Sequence, residues 1–167
     1  MTRRASVNYL DRLYASLTYL LPITAVLMFG GFLFQQFPVL IIIFFPILKV
    51  NQILTIPIID FISIRFVVWF CLFIFVIRSY KVNHFVRFNA MQAILLDIVV
   101  ALVGAIAQIL IVILGQLTVL TFVLQIISSV TFLGITAAFL YSVFECIRGK
   151  YADKIPVISD VAYYQVR

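Results

Sequence analysis

The stretch that decides the fold is Ile98–Phe144, IVVALVGAIAQILIVILGQLTVLTFVLQIISSVTFLGITAAFLYSVF, which holds 47 residues without a single charge. As one helix it would be about 70 Å long at ~1.5 Å per residue. The hydrocarbon core of a bilayer is only about 30 Å thick. The stretch must therefore fold back once, and the polar, flexible interruption near its centre is Gly115-Gln-Leu-Thr118. This pattern predicts a transmembrane helical hairpin.

The composition of the whole chain is typical of an integral membrane protein. Hydrophobic residues make up 65% of the chain and charged residues 11%, whereas soluble domains average about 25% charged residues. With 167 residues, the chain is predicted to form a single membrane domain, 1–167. The net charge of +6 indicates cationic loops on the negative side of a membrane rather than contact with nucleic acid.

Four membrane spans are predicted, together with one short segment that does not cross. The spans cover about 13–34, 56–77, 90–114 and 119–147, and the short segment is 39–48. The first span lacks a small-x-small cleavage site and is predicted to be retained rather than removed as a signal peptide; Pro22 is expected to kink it. The segment 39–48 has only about ten apolar residues, which indicates a re-entrant or interfacial position. The predicted fold class is an all-α polytopic membrane protein.

The distribution of positive charge predicts the topology. One connection between spans holds Lys49, while ten other cations flank the opposite ends of the spans: Arg3, Arg4, Arg12, Arg78, Lys81, Arg87, Arg148, Lys150, Lys154 and Arg167. Membrane proteins keep an excess of Lys and Arg on the cytoplasmic side. Both termini and the loop between spans two and three are therefore predicted to face the cytoplasmic or stromal side.

Arg65 is the least expected residue, because it falls inside the second predicted span. If it marked the membrane surface, the rest of that span would be only about 18 Å long. An Arg inside the membrane costs ~2.5–3.5 kcal/mol on insertion scales and usually has a partner. Asp97 of the third span is the first candidate, and Asp60, about 140° around the same helix, is the second. Two interpretations stay open, a packing ion pair or a group that lines a hydrophilic path.

Two ladders of small residues at intervals of four predict helix-packing faces. Residues at this spacing share a helix face, and small side chains let two helices approach closely. The two ladders are Ala93, Asp97, Ala101 and Ala105 in the third span and Gly134, Ala138 and Ser142 in the fourth. Two polar groups within the spans, Gln108 and Gln125, fit either helix packing or a polar path.

The loop that contains Arg78, Lys81, His84 and Arg87 is short and basic, and it is predicted to contact lipid headgroups or a partner. Directly after it, Asn89 with Gln92 resembles a capping box at the start of the third span.

No motif for catalysis is present in the sequence. It contains no nucleophile–base pair, HExxH motif, phosphate-binding loop or carboxylate cluster, and its two cysteines have no His neighbours. The chain is predicted to be no enzyme and to hold no metal or cofactor.

Three blocks of the sequence resemble a known family. They are Tyr19-Leu-Leu-Pro22, Phe32-Leu-Phe-Gln-Gln-Phe-Pro38 and Arg87-Phe-Asn-Ala-Met-Gln-Ala-Ile-Leu-Leu-Asp-Ile98. Together they resemble the twenty-kilodalton subunit of the translocon at the inner envelope of chloroplasts, and above all its short forms in cyanobacteria and algal plastid genomes. The resemblance extends from about Asp11 to Tyr151.

The resemblance implies a four-helix membrane subunit that helps to move precursor proteins across or into the plastid inner envelope, or a homologue in a cyanobacterial membrane. It implies other membrane subunits and precursor polypeptides as partners and no catalysis. Two alternatives come from other classes of function. One is a structural or assembly subunit of another membrane complex, such as a photosynthetic one, and the other is a small-solute channel or carrier.

Overall fold

The computed structural model describes residues 7–60, 62–115 and 118–166. Its centre is a hairpin of two long helices, α6 (His84–Leu114) and α7 (Thr118–Ile147). At ~1.5 Å per residue these helices are each about 45 Å long, longer than the hydrocarbon core is thick. Gly115 follows the last residue of α6, and its φ of 68° lies in the left-handed region that a residue with a Cβ atom rarely adopts. The hairpin predicted from the uncharged stretch is therefore present.

The first apolar segment forms three consecutive pieces. They are α1 (Tyr9–Thr18), α2 (Leu20–Val26) and α3 (Gly31–Gln36), with a 3₁₀ turn at Leu27–Phe29 before the last. The break between α1 and α2 lies at Tyr19, three residues before Pro22. Proline has no backbone N–H to donate to the Thr18 carbonyl, and its ring clashes with that carbonyl. The segment is thus kinked as the sequence predicts, and it begins four residues earlier than expected.

The expectation for the short segment was partly wrong. Helix α4 (Val39–Leu54) has 16 residues, not about ten, and it continues through Pro46. Loss of one backbone hydrogen bond at a proline does not by itself end a membrane helix, because local adjustment and neighbouring groups can satisfy the freed carbonyl. At about 24 Å, the helix is still shorter than the hydrocarbon core.

The prediction of a single helix over 56–77 was also wrong in its first third. That part forms a small antiparallel hairpin, β1 (Pro57–Ile59) and β2 (Ile62–Ser63). Its Pro and β-branched Ile residues favour extended backbone over helix. Helix α5 (Ile64–Cys71) follows and continues as a π-helix, Leu72–Ile77.

Among the described residues, three helical segments are long and apolar enough to cross a membrane: Tyr9–Phe29, His84–Leu114 and Thr118–Ile147. The segment Ile64–Ile77 is about 21 Å long, short of the ~30 Å core. The described part of the chain is therefore helical apart from the small hairpin and its connecting loops, and it has the character of a membrane protein. Three of its helical segments, not the predicted four, are long enough to span a membrane.

The core lies where α1 and α2 pack between α6 and α7. Fully buried side chains from all of these elements meet there, among them Ile23, Val26, Phe85, Val100 and Phe132. Three rings, those of Phe34, Phe44 and Phe132, join α3, α4 and α7 with centroid distances of 5.2–5.9 Å. A final helix, α8 (Ile158–Gln165), packs on the first half of α6 through Ala162.

Direct contacts bring the start of α1, the loop before α6 and the end of α7 together. The Asn83 Nδ2 donates to the Asp11 Oδ2 at 2.9 Å, and the Arg12 Nη1 donates to the Ile147 carbonyl at 3.2 Å. This end, here called the basic end, holds the loop and the two flanking regions that carry most of the cations. The side of the membrane that this end faces stays a prediction.

Candidate functional site

The first polar cluster of the structure is built around Arg65, the second residue of α5. Its Nη2 forms an ion pair with the Asp97 Oδ1 of α6 and also donates to the Leu21 carbonyl at 2.6 Å. Its Nη1 donates to the Thr24 hydroxyl at 3.0 Å. The Arg65 and Asp97 side chains are 20% and 11% exposed. The guanidinium group therefore ties α2, α5 and α6 together.

The depth of this cluster follows from the length of α6. Asp97 lies 13 residues after His84, the first residue of the helix, which is about 20 Å from the basic end. Arg65 is thus well inside the bundle, and three acceptors on two neighbouring segments surround it. Asp60, the second candidate partner, is exposed in the turn of the β-hairpin, and no ion pair joins it to Arg65 among the described residues.

A second polar network lies closer to the basic end and is fully buried. The Tyr19 hydroxyl is 2.9 Å from the Asn89 Oδ1 and 2.6 Å from the Gln92 Oε1. Since a hydroxyl has one proton, it can donate to only one of them at a time. The Cys146 thiol also donates to the Asn89 Oδ1, at 3.3 Å.

The same network reaches the C-terminal segment. The Gln92 Nε2 donates to the Ala152 carbonyl at 2.9 Å and to the Ser159 Oγ at 2.8 Å. Ser159 in turn donates to the Ala152 carbonyl and accepts from the Ile155 amide. Buried polar groups are costly unless they are paired. Here they fasten the chain after α7 to the first half of α6.

The interpretation of Asn89 and Gln92 as a capping box was wrong. Helix α6 begins six residues earlier, and its cap is Asn83, whose side chain accepts from the Phe85 amide at 3.1 Å. The two residues lie in the helix interior, where both side chains are 0% exposed. The sequence holds one indication that these two side chains are buried. At three- and four-residue spacing, Asn89 and Gln92 share a helix face with Ala93, which is predicted to pack.

The small-residue ladders pack over only part of their length. Ala93 and Ser142 are buried and Ala138 is partly buried, whereas Ala101, Ala105 and Gly134 are exposed. A spacing of four residues advances 400° around a helix, so each step drifts about 40° and three steps drift about 120°. Packing instead follows alternating steps of three and four through Val100 and Gly104, which are buried. Ala101 and Ala105, in the half of α6 that is distant from the basic end, and Gly134, near the middle of α7, are therefore exposed, as is Gln108.

The basic-loop residues have separate roles at the basic end. Arg78 and Lys81 are exposed. The Arg87 Nε donates to the Ile77 carbonyl at 2.9 Å, and its guanidinium group lies 5.3 Å from the Tyr80 ring centroid. Arg87 thereby satisfies a backbone carbonyl at the end of the preceding helix.

His84 lies in an aromatic group with Tyr151 and Tyr163. Its Nδ1 is 3.2 Å from the Tyr151 hydroxyl, and its ring also contacts Tyr163. In the described part of the chain, no three His, Cys, Asp or Glu residues are grouped so that they could hold a metal ion.

The sequence matches the family model described as "Chloroplast import apparatus Tic20-like" over residues 4–162, nearly the whole chain. The chain belongs to the Tic20 family. A Tic20 family protein from Synechocystis sp. is 39% identical over 168 aligned positions, which cover 100% of this chain and 99% of that relative. Protein TIC 20-II, chloroplastic, from Arabidopsis thaliana is 36% identical over 105 positions, which cover 60% of this chain and 48% of that relative.

The blocks that carry the family resemblance also supply both polar clusters. The block Arg87–Ile98 contains Asn89, Gln92 and Asp97. The block Tyr19–Pro22 contains the Tyr19 hydroxyl, which contacts Asn89 and Gln92, and the Leu21 carbonyl, which accepts from Arg65. The two blocks are distant in sequence and meet along the contact between α2 and α6. In this member of the Tic20 family, these polar residues hold helices together.

Proposed function

We propose that this protein is a membrane subunit of a protein-translocation complex of the plastid inner-envelope type and contributes to a path for precursor polypeptides. Membership of the Tic20 family over residues 4–162 carries this proposal. The long apolar helices support placement in a membrane. The role requires assembly with other membrane subunits and no catalytic step.

The path lies at an interface with a partner and not through the centre of the chain. The middle of the bundle is filled by fully buried apolar side chains such as Ile23, Val26 and Phe132. Helices packed at about 8–10 Å leave no room for a polypeptide between them. Arg65, which could have lined an internal path, has three acceptors from its own chain.

The outer faces of α6 and α7 support a role within a larger assembly. Apolar side chains along their far halves are widely exposed, for example Val112 at 83% and Val119 at 76%. In a membrane, lipid or other subunits cover such faces, and small residues at Ala101, Ala105 and Gly134 allow close approach of a partner helix. These three ladder positions are thus proposed to contact a partner subunit.

We further propose that both termini and the basic loop face the stromal or cytoplasmic side of the membrane. Single cysteines at positions 49 and 81, in a background with Cys71 and Cys146 replaced, should then react with an impermeant reagent from opposite sides. The start of α1, the loop before α6 and the end of α7 meet at one end of the bundle, which supports a shared side for them, and their cations favour the stromal or cytoplasmic side. Reaction of both positions from one side would rule it out.

The functional test is photocrosslinking in intact membranes that contain the complex. A photoreactive residue at Gln108, which is exposed on α6, should capture either a precursor arrested in transit or a neighbouring subunit. Depletion of the protein should slow import of the precursor. Import at the normal rate after depletion, with crosslinks only to resident subunits, would instead favour a structural subunit of another complex.

A further inference from the structure

The two sides of the bundle differ in apolar length. On one side, the helical segment Ile64–Ile77 is about 21 Å long. On the other side, α6 and α7 are each about 45 Å long, and the stretch Ile98–Phe144 that joins their far halves is uncharged. Both sides start at the same level, because the Arg87 Nε of α6 donates to the Ile77 carbonyl. The short side therefore ends near the middle of the long one.

The ion pair between Arg65 and Asp97 fixes the depth at which the short side ends. Asp97 lies ten residues after Arg87 on α6, which is about 15 Å along the helix axis. Just before Arg65, the Ile64 amide donates to the Ile56 carbonyl at 3.1 Å. The end of α4 and the start of the β-hairpin therefore lie about 15–20 Å from the level of Arg87, well within a hydrocarbon core that is ~30 Å thick.

Polar groups face outward at this depth. The side chains of Gln52, Thr55 and Asp60 are exposed, and so are all three residues of β1. The hairpin is a two-stranded sheet, so the outward backbone groups of its strands have no partner within the sheet. Lipid tails form no hydrogen bonds, and open sheet edges do not occur in contact with the hydrocarbon region. These groups therefore require polar surroundings.

A span that is shorter than the bilayer is accommodated by snorkelling of side chains, by oligomerisation or by thinning of the bilayer. Snorkelling does not suffice here, because backbone groups and the short side chains of Thr55 and Asp60 cannot bridge the missing ~10 Å. The polar character of the exposed groups instead matches water and lipid headgroups.

We propose that the bilayer thins to about 20 Å beside α4, the β-hairpin and α5, so that water and headgroups of the leaflet opposite the basic end reach the hairpin. On the α7 side the bilayer keeps its full thickness. This inference does not depend on the proposed function, although a precursor that crossed beside α5 would meet a shorter apolar barrier.

The test compares single cysteines on opposite sides of the bundle. Ile56→Cys lies at the start of the hairpin, where the native side chain is 50% exposed, and Leu133→Cys lies on α7, where it is 56% exposed. The Cys146 thiol donates to Asn89, which sets these two residues at one level. Leu133 is then about 20 Å beyond this level and Asp97 only about 12 Å. The control is thus farther from the basic end than the hairpin is.

Each variant, with Cys71 and Cys146 replaced by serine, is reconstituted in dioleoylphosphatidylcholine vesicles with an impermeant thiol reagent on both sides. Position 56 should react about tenfold faster than position 133 or more, because the thiolate is the reactive form and apolar surroundings keep a thiol protonated. After unfolding in a denaturing detergent, the two positions should react at similar rates. Thr55→Cys repeats the test if Ile56→Cys does not fold.

A second measurement distinguishes a thinned bilayer from a water-filled pocket in the protein. Fluorophores are attached to Phe66→Cys, directly after Arg65, and to Ala137→Cys on α7, two exposed positions at similar depth. A nitroxide on the lipid headgroup should quench position 66 about twofold more than position 137, because Ala137 stays near the middle of a core of full thickness.

Three results would overturn the inference. Equal reaction at positions 56 and 133 would mean that the bilayer is equally thick on both sides. No reaction at position 56 would mean that lipid tails or a second copy of the chain cover the hairpin. Equal quenching at positions 66 and 137 would mean that water reaches the hairpin through a pocket and not through thinning.

Discussion

Breaking the Arg65–Asp97 ion pair should destabilise the protein far more when one partner is removed than when both are. Asp97→Leu leaves an arginine that cannot lose its charge, with only the Leu21 carbonyl and the Thr24 hydroxyl as acceptors. Arg65→Leu leaves the Asp97 carboxylate without its donor among the residues that the structure describes. Removing one partner of a buried pair costs about 3–5 kcal/mol. Since both side chains are slightly exposed, we expect about 3 kcal/mol for each single variant.

The double variant replaces the pair with two apolar side chains. Such replacements are often neutral or even stabilising. The Thr24 hydroxyl also keeps its own acceptors, the carbonyls of Leu20 and Leu21. We therefore expect the double variant to cost about 1 kcal/mol or less, which with about 3 kcal/mol for each single variant gives a coupling energy of about 5 kcal/mol.

The assay is unfolding of the purified protein in mixed micelles by increasing amounts of a denaturing detergent. The single tryptophan, Trp69, lies on α5 one turn after Arg65, so its fluorescence reports on the helix that the ion pair holds. The control is the pair Arg148–Glu145, with an N–O distance of 3.4 Å and side chains that are 46% and 15% exposed. Because water reaches Arg148, the same cycle should give at most about 1 kcal/mol. Additive costs at Arg65 and Asp97, within about 0.5 kcal/mol, would refute the reasoning.

Two further substitutions test the packing and the buried network. Gly30→Ala should destabilise the protein by about 1–3 kcal/mol, because the new Cβ would lie 2.6–2.9 Å from ring atoms of the aromatic cluster; Gly31→Ala, where nothing lies within 4 Å, should be neutral or stabilising by up to about 1 kcal/mol. Equal effects of the two in the same unfolding assay would contradict the close packing. Tyr19→Phe removes a hydroxyl from a fully buried network and should cost about 1–3 kcal/mol, whereas Tyr9→Phe, at a side chain that is 77% exposed, should change little. A loss below about 0.5 kcal/mol for Tyr19→Phe would mean that the hydroxyl is dispensable.

Some features follow from the sequence because they depend on composition and chain order alone. The uncharged stretch is too long for one crossing, and this sets the α6–α7 hairpin and its membrane character. A buried cation needs a counter-charge, and few carboxylates lie in the apolar segments, so Asp97 could be named as the partner of Arg65. The blocks around Tyr19 and Arg87–Ile98 identified the family that the match over residues 4–162 establishes.

Other features were decided only by the tertiary structure, since they depend on which segments meet. Hydropathy treats 56–77 as one span and cannot distinguish a β-hairpin from a helix, because both can be equally apolar. The spacing of Asn89 and Gln92 predicts the start of a helix. Only the tertiary structure shows that their partners are Tyr19 and the chain after α7. Spacing determines which residues share a face, and the packing of distant segments determines what that face contacts.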